Sequence, residues 1–170
     1  MTVKTLTSFA TAAILALQIP VATAANVTIQ AGDIAWSYPP ASYAGQDFSK
    51  GFRYKTLVGS ARAPIQADGI LMGEAEFAPG VIYVSHKHPA PEIYYVLQGE
   101  AEWTVGDQTF QAGSGTTIYT KPGAIHRMVN TGDGVLRAVW IWWGAPKDLG
   151  SAVIVTEPKA DQPATAKFDD

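Results

Sequence analysis

The chain has no cysteine, so neither disulfide stapling nor a thiolate-bound structural zinc site is open to it, and its stability has to come from a packed core. Histidine is scarce too, at three residues: His86, His88 and His126. Charged residues make up 16% of the sequence, with 12 basic against 15 acidic, and no basic cluster occurs. Nucleic acid and anionic membrane are therefore excluded as expected partners. Helical periodicity is sparse, while 16 glycines and 11 prolines punctuate the chain. That combination predicts an all-β protein made of short strands and turns.

The apolar run from Phe9 to Leu17 is interrupted by Thr11 and followed by Gln18, and it is shorter than the roughly 20 apolar residues of a spanning helix. Lys4 precedes it, and the small residues Ala22-Thr23-Ala24 follow it. Residues 1–24 therefore read as a signal peptide, with the mature chain starting at Ala25. The expectation is an exported protein, periplasmic or secreted, with no membrane attachment after cleavage. About 146 residues remain, enough for one domain with one core.

Residues 25–60 read as an N-terminal arm. Asn26 to Gln30 alternates like a strand, and Pro39-Pro40 forbids a helix between Trp36 and Tyr43. Such an arm either exchanges with a second subunit, making a homodimer, or packs on its own barrel. Strands are expected at Gly69–Phe77, Val81–His88, Glu92–Leu97, Thr116–Thr120, His126–Val129 and Val135–Trp143. Ala101–Val105 and Gln108–Phe110 form a hairpin through Gly106-Asp107. Strands of this length without intervening helices suit a jelly-roll β-barrel over residues 61–157, with Ser151–Thr156 as an edge strand. The polar, alanine-rich stretch 158–170 reads as a disordered tail.

Within that frame, Gly80 to Gly99 (GVIYVSHKHPAPEIYYVLQG) concentrates the chemistry. His86 and His88 are two residues apart in a Val-, Ile- and Tyr-rich run, so a strand sends both imidazoles to one face. Pro89 and Pro91 impose a turn that swings Glu92 back toward them. His126 falls in a second stretch, Gly115 to Asn130. Three neutral imidazoles and one carboxylate suit one divalent ion, whether manganese, iron, nickel or zinc, and leave it with a net charge of about plus one. Such a centre accepts a small anionic substrate and stabilises developing negative charge.

The first stretch matches the first motif of the cupin superfamily, G-x5-H-x-H-x3-E-x6-G, through Gly80, His86, His88, Glu92 and Gly99. The second resembles the second cupin motif through Gly115, Gly123, His126 and Asn130, with Lys121 where the motif has proline and Pro122 one place later. The resemblance implies a single cupin-type barrel with His86, His88, Glu92 and His126 as metal ligands. It implies no particular reaction, because that barrel carries many chemistries.

Tyr94, two residues beyond Glu92, faces the same side of a strand. A phenol beside a cation loses its proton more readily, which suits a general base or a fifth ligand. The run H-x-H-x3-E-x-Y followed by His126 is similar to the metal site of cupin-type dimethylsulfoniopropionate lyases. That resemblance implies a metal-held substrate and Tyr94 as the base that expels dimethyl sulfide and leaves acrylate. Trp103, Trp140, Trp142 and Trp143 offer either aromatic faces for a sulfonium or ordinary core. Two other readings use the same residues: an iron-dependent dioxygenase, and a non-catalytic periplasmic small-molecule binding protein. Lys121 and Arg137 are basic residues near the second motif whose facing the sequence leaves open.

Overall fold

Buried and less buried positions alternate along most of the chain from Phe52 onward, as expected for strands with one face against a core. The structure is a computed structural model that describes residues 28–39, 51–59, 63–144, 153–156 and 167–168; the expected signal peptide lies outside them. Among the described residues there are eleven strands: β1 (Phe52–Gly59), β2 (Ile65–Gln66), β3 (Ile70–Phe77), β4 (Ile82–Lys87), β5 (Glu92–Gln98), β6 (Glu100–Val105), β7 (Gln108–Gly113), β8 (Thr117–Thr120), β9 (His126–Asn130), β10 (Leu136–Trp143) and β11 (Ile154–Val155). Among the described residues the single helical element is a 3-10 turn, Ala31–Asp33, and no helix is long and apolar enough to cross a membrane.

The strands form two sheets, in the orders β2-β1-β3-β10-β5-β8 and β11-β4-β9-β6-β7. Chain-adjacent β4 and β5 lie in different sheets, as do β9 and β10. The fold is the all-β jelly roll expected from the sequence. Its strands begin at Phe52 rather than at residue 61, because β1, inside the stretch read as an arm, pairs along its length with β3 of the same chain. Its pattern is hard to read because the register shifts between Thr56 and Val58; an extra residue there breaks the period of two. Ahead of β1, Ser37 bridges to Tyr54, and Lys55 Nζ donates to the Ala31 carbonyl at 2.6 Å. Residues 31–37 therefore lie on the barrel of their own chain.

The core is an aromatic stack at one end that leads toward the histidines. Phe52 stacks on Phe77 with ring centroids 4.6 Å apart, Tyr83 lies 5.1 Å from Phe52, and the edge of His86 meets Tyr83 at 4.5 Å. Each of these rings buries a large apolar area. Asn130, the last residue of the second cupin-like stretch, is a corner clamp. Its Nδ2 donates to the carbonyls of Phe77 and Gly134, and its Oδ1 accepts from Gly132 N–H. Gly99 turns the chain with φ +80°, and a Cβ there would press on the backbone of Val135 and Leu136. Phe168, inside the stretch read as a disordered tail, packs against the core with Arg53 over its ring at 4.2 Å. One aromatic residue in a polar segment has enough apolar area to dock where the composition alone predicts none.

Candidate metal centre

Both sheets supply the site. His86 is on β4 and pairs directly across the ladder with His126, the first residue of β9. His88 lies one residue past the end of β4, because Pro89 has no N–H with which to continue the ladder. The Pro89–Pro91 turn then carries the chain into the other sheet, where Glu92 opens β5. The turn between β8 and β9 is tied to this one, since Gly123 N–H donates to the His88 carbonyl at 2.8 Å. All four side chains are buried, and one ligand atom from each falls within 4.8 Å of all the others.

Hydrogen bonds to the backbone settle which ring nitrogens carry protons. His86 Nδ1 faces the Val84 carbonyl at 2.7 Å, His88 Nδ1 the Ala90 carbonyl at 2.7 Å, and His126 Nδ1 the Ala124 carbonyl at 3.0 Å. A carbonyl can only accept, so each Nδ1 holds the hydrogen and each neutral imidazole turns the bare lone pair of Nε2 to the centre. Glu92 Oε2 lies 3.2 Å from His88 Nε2 and 3.1 Å from His126 Nε2, and the latter nitrogen is buried without a directed hydrogen bond. Lone pairs converging on one buried point repel unless a cation or a shared proton lies among them. The donor set fits a first-row divalent ion, with the Nδ1 bonds in the role that outer partners of metal-bound histidines take.

The metal-free electrostatics agree. Burial, followed by the neighbouring His126, holds His86 down from 6.5 to about 3, which keeps it neutral. Burial alone would raise Glu92, but hydrogen bonds to it from His126 and His88, which need the shared proton when no cation is there, outweigh burial and hold the carboxyl at about 2, against the usual 4.5. Both folded values lie below the unfolded ones, so the unfolded chain binds more protons in acid. The His86 contribution to stability is complete above pH 6.5 and is lost as pH falls toward 3, and that of Glu92 is lost from 4.5 toward 2. The melting temperature of metal-free protein is therefore expected to fall steadily below pH 6.5; a melting temperature unchanged from pH 7 to pH 4 contradicts this electrostatic account.

Tyr94 is buried on the inward side of β5, in the same row as Glu92, with its ring 4.9 Å from that of Trp103. Arg137 is not at the site, because it pairs outside the barrel with Glu74 at 2.6 Å and with Glu76 at 3.8 Å. Lys121 is exposed on its turn. The tryptophans divide by strand parity. Trp142 lies opposite Glu92 and Trp140 opposite Tyr94, whereas Trp143 lies opposite Ile70 and beside exposed Tyr119 on the outer face. Trp142 reaches furthest into the centre. Its indole stacks on His88 at 4.0 Å, and Nε1 donates to Glu92 Oε1 at 2.5 Å. Nothing in the sequence singles it out from its neighbours, because the register of β10 against β5 is what places it there.

Residues 73–142 match the family described as the cupin domain. Over 118 residues the chain is 31% identical to dimethylsulfoniopropionate lyase DddQ of Ruegeria pomeroyi, an alignment covering 69% of this chain and 56% of that protein. It is also 31% identical over 84 residues to dimethylsulfoniopropionate lyase DddW of the same organism, covering 49% of this chain and 53% of the relative. The chain thus spans about half the length of the curated relatives it matches. The crystal structure of Ruegeria pomeroyi DddQ superposes with a TM-score of 0.65 at 29% identity, covering 76% of this chain and 64% of that one. The polyketide cyclase RemF of Streptomyces resistomycificus shares the fold alone, with a TM-score of 0.62 at 18% identity over 79% of this chain and 87% of the other. With two sheets in jelly-roll order and four ligand-type side chains at the positions of both motifs, the barrel of this chain is a cupin domain.

Proposed function

We propose that the protein is a metal-dependent lyase acting on a small carboxylate substrate of the dimethylsulfoniopropionate type. The observation that carries this reading is the buried convergence of His86, His88, Glu92 and His126, with Tyr94 on the same inward row as Glu92. Its likeness to two relatives named as dimethylsulfoniopropionate lyases supports the choice of reaction. A divalent ion held by the four ligands supplies Lewis-acid stabilisation of negative charge on the substrate carboxylate.

The chain's own residues do the rest. Tyr94, as phenolate, takes the proton from the carbon next to the carboxylate. The electron pair left on that carbon becomes the new double bond as the carbon–sulfur bond breaks. Its bonding pair leaves with sulfur, so dimethyl sulfide departs neutral and acrylate remains. Trp140 and Trp142, on the inward side of β10, offer faces to the sulfonium cation. In this reading residues 1–24 direct export to the periplasm or beyond, which an amino terminus at Ala25 in the exported protein would verify.

The test is to incubate metal-reconstituted protein with dimethylsulfoniopropionate in sealed vials, in air and under argon. Equal amounts of dimethyl sulfide and acrylate are expected in both. Turnover only in air turns the assignment to an iron-dependent dioxygenase, which uses the same ligands. Tight binding with the compound recovered unchanged makes the protein a binding module.

A further inference from the structure

Glu92 has two carboxylate oxygens, and the structure gives them different partners. Oε2 faces the Nε2 atoms of His88 and His126 at 3.2 and 3.1 Å. Oε1 accepts the indole N–H of Trp142. The same indole lies nearly parallel to the His88 ring, with centroids 4.0 Å apart and an interplanar angle of 24°. One side chain from the opposite strand therefore touches two of the four ligands. Direct cross-strand pairing of Trp142 with Glu92 fixes this contact in the register of the sheet.

From this geometry we propose that Trp142 is a positioning residue of the metal centre: its N–H holds Glu92 to one donor oxygen, and its ring face fixes the plane of His88. The inference rests on the metal reading of the four ligands and adds a role that the ligand pattern does not contain. A buried carboxylate with both oxygens free can rotate or offer both to a cation; with Oε1 engaged, it offers Oε2 alone. That arrangement keeps a coordination position available to a substrate or water. Trp140, two residues earlier on the same inward side, is 6.3 Å from Trp142 and at 68° to it, an edge-on contact between the two indoles.

Trp142→Phe keeps a ring against His88 and deletes only the donor. Zn(II) affinity, measured by competition with a chromophoric chelator, is expected to fall about 10- to 100-fold, the usual loss when an outer partner of a ligand is removed. In a Glu92→Ala background the same substitution is expected to change affinity by less than about threefold, because a residue acting through Glu92 has nothing left to act on. With Co(II), the visible absorption spectrum of Trp142→Phe is expected to differ from that of the unmodified protein, since the carboxylate is freed to bind differently. Unchanged Zn(II) affinity in Trp142→Phe, or an equal loss in both backgrounds, overturns the proposal and leaves Trp142 as packing. If the unmodified protein binds no Zn(II), it is the metal reading itself that fails. Should Trp142→Phe not melt cooperatively, the Trp142 indole N–H resonance of the unmodified protein decides: slow exchange with solvent is expected, and rapid exchange overturns the assignment.

Discussion

His126→Ala is expected to abolish metal retention while leaving the barrel folded. His126 is buried, its ring lies 4.0 Å from that of His86 and 5.0 Å from that of His88, and its Nε2 faces Glu92 Oε2. Alanine removes the ligand that faces both β4 and the carboxylate, and no other described histidine can replace it, since His86 and His88 are already in the cluster. The loss in affinity should exceed the roughly 10- to 100-fold that outer-shell partners contribute. The backbone role of the residue survives, because the pairing of β9 with β4 and β6 uses main-chain groups. Metal analysis of the purified variant, with circular dichroism to verify the fold, is the measurement. Full occupancy in His126→Ala would remove it from the ligand set.

Tyr94→Phe is expected to separate chemistry from binding. The ring sits in the core against Trp103, and phenylalanine preserves that packing while deleting the hydroxyl. Metal content should therefore stay at the unmodified level, and the rate of dimethyl sulfide release should fall by about two to four powers of ten, the usual contribution of a general base. A variant that turns over like the unmodified protein reduces Tyr94 to a core aromatic. A variant that loses metal as well points instead to Tyr94 as a fifth ligand. The combination of normal metal content with a lost rate is what the lyase reading requires.

Much of this is legible in the sequence. The two-residue spacing of His86 and His88, the proline turn before Glu92 and the isolated His126 converge on one point, because a β-strand has a fixed period and proline breaks a ladder predictably. What was not legible depends on pairing between distant segments. His88 stands beyond the end of β4, although the strand had been expected to include it. The facing of Arg137 is open in the sequence, and strand parity turns it outward to Glu74 and Glu76. Trp142 could not be told from Trp140 or Trp143 until the register of β10 against β5 was known. β1 was hidden by its bulge, and Phe168 by the polar segment around it. A one-residue shift in a strand exchanges its two faces, so a sequence can name the residues of a site more readily than the neighbours that orient them.

The central claim is that His86, His88, Glu92 and His126 hold one metal ion. Anomalous diffraction from crystals of the purified protein, collected on both sides of the absorption edge of the metal identified by X-ray fluorescence, tests it most directly. One anomalous peak among the three Nε2 atoms and Glu92 Oε2 is the predicted result. A crystal of folded protein soaked in Mn(II) or Zn(II) that shows no peak there, or shows it only elsewhere on the surface, would contradict the account.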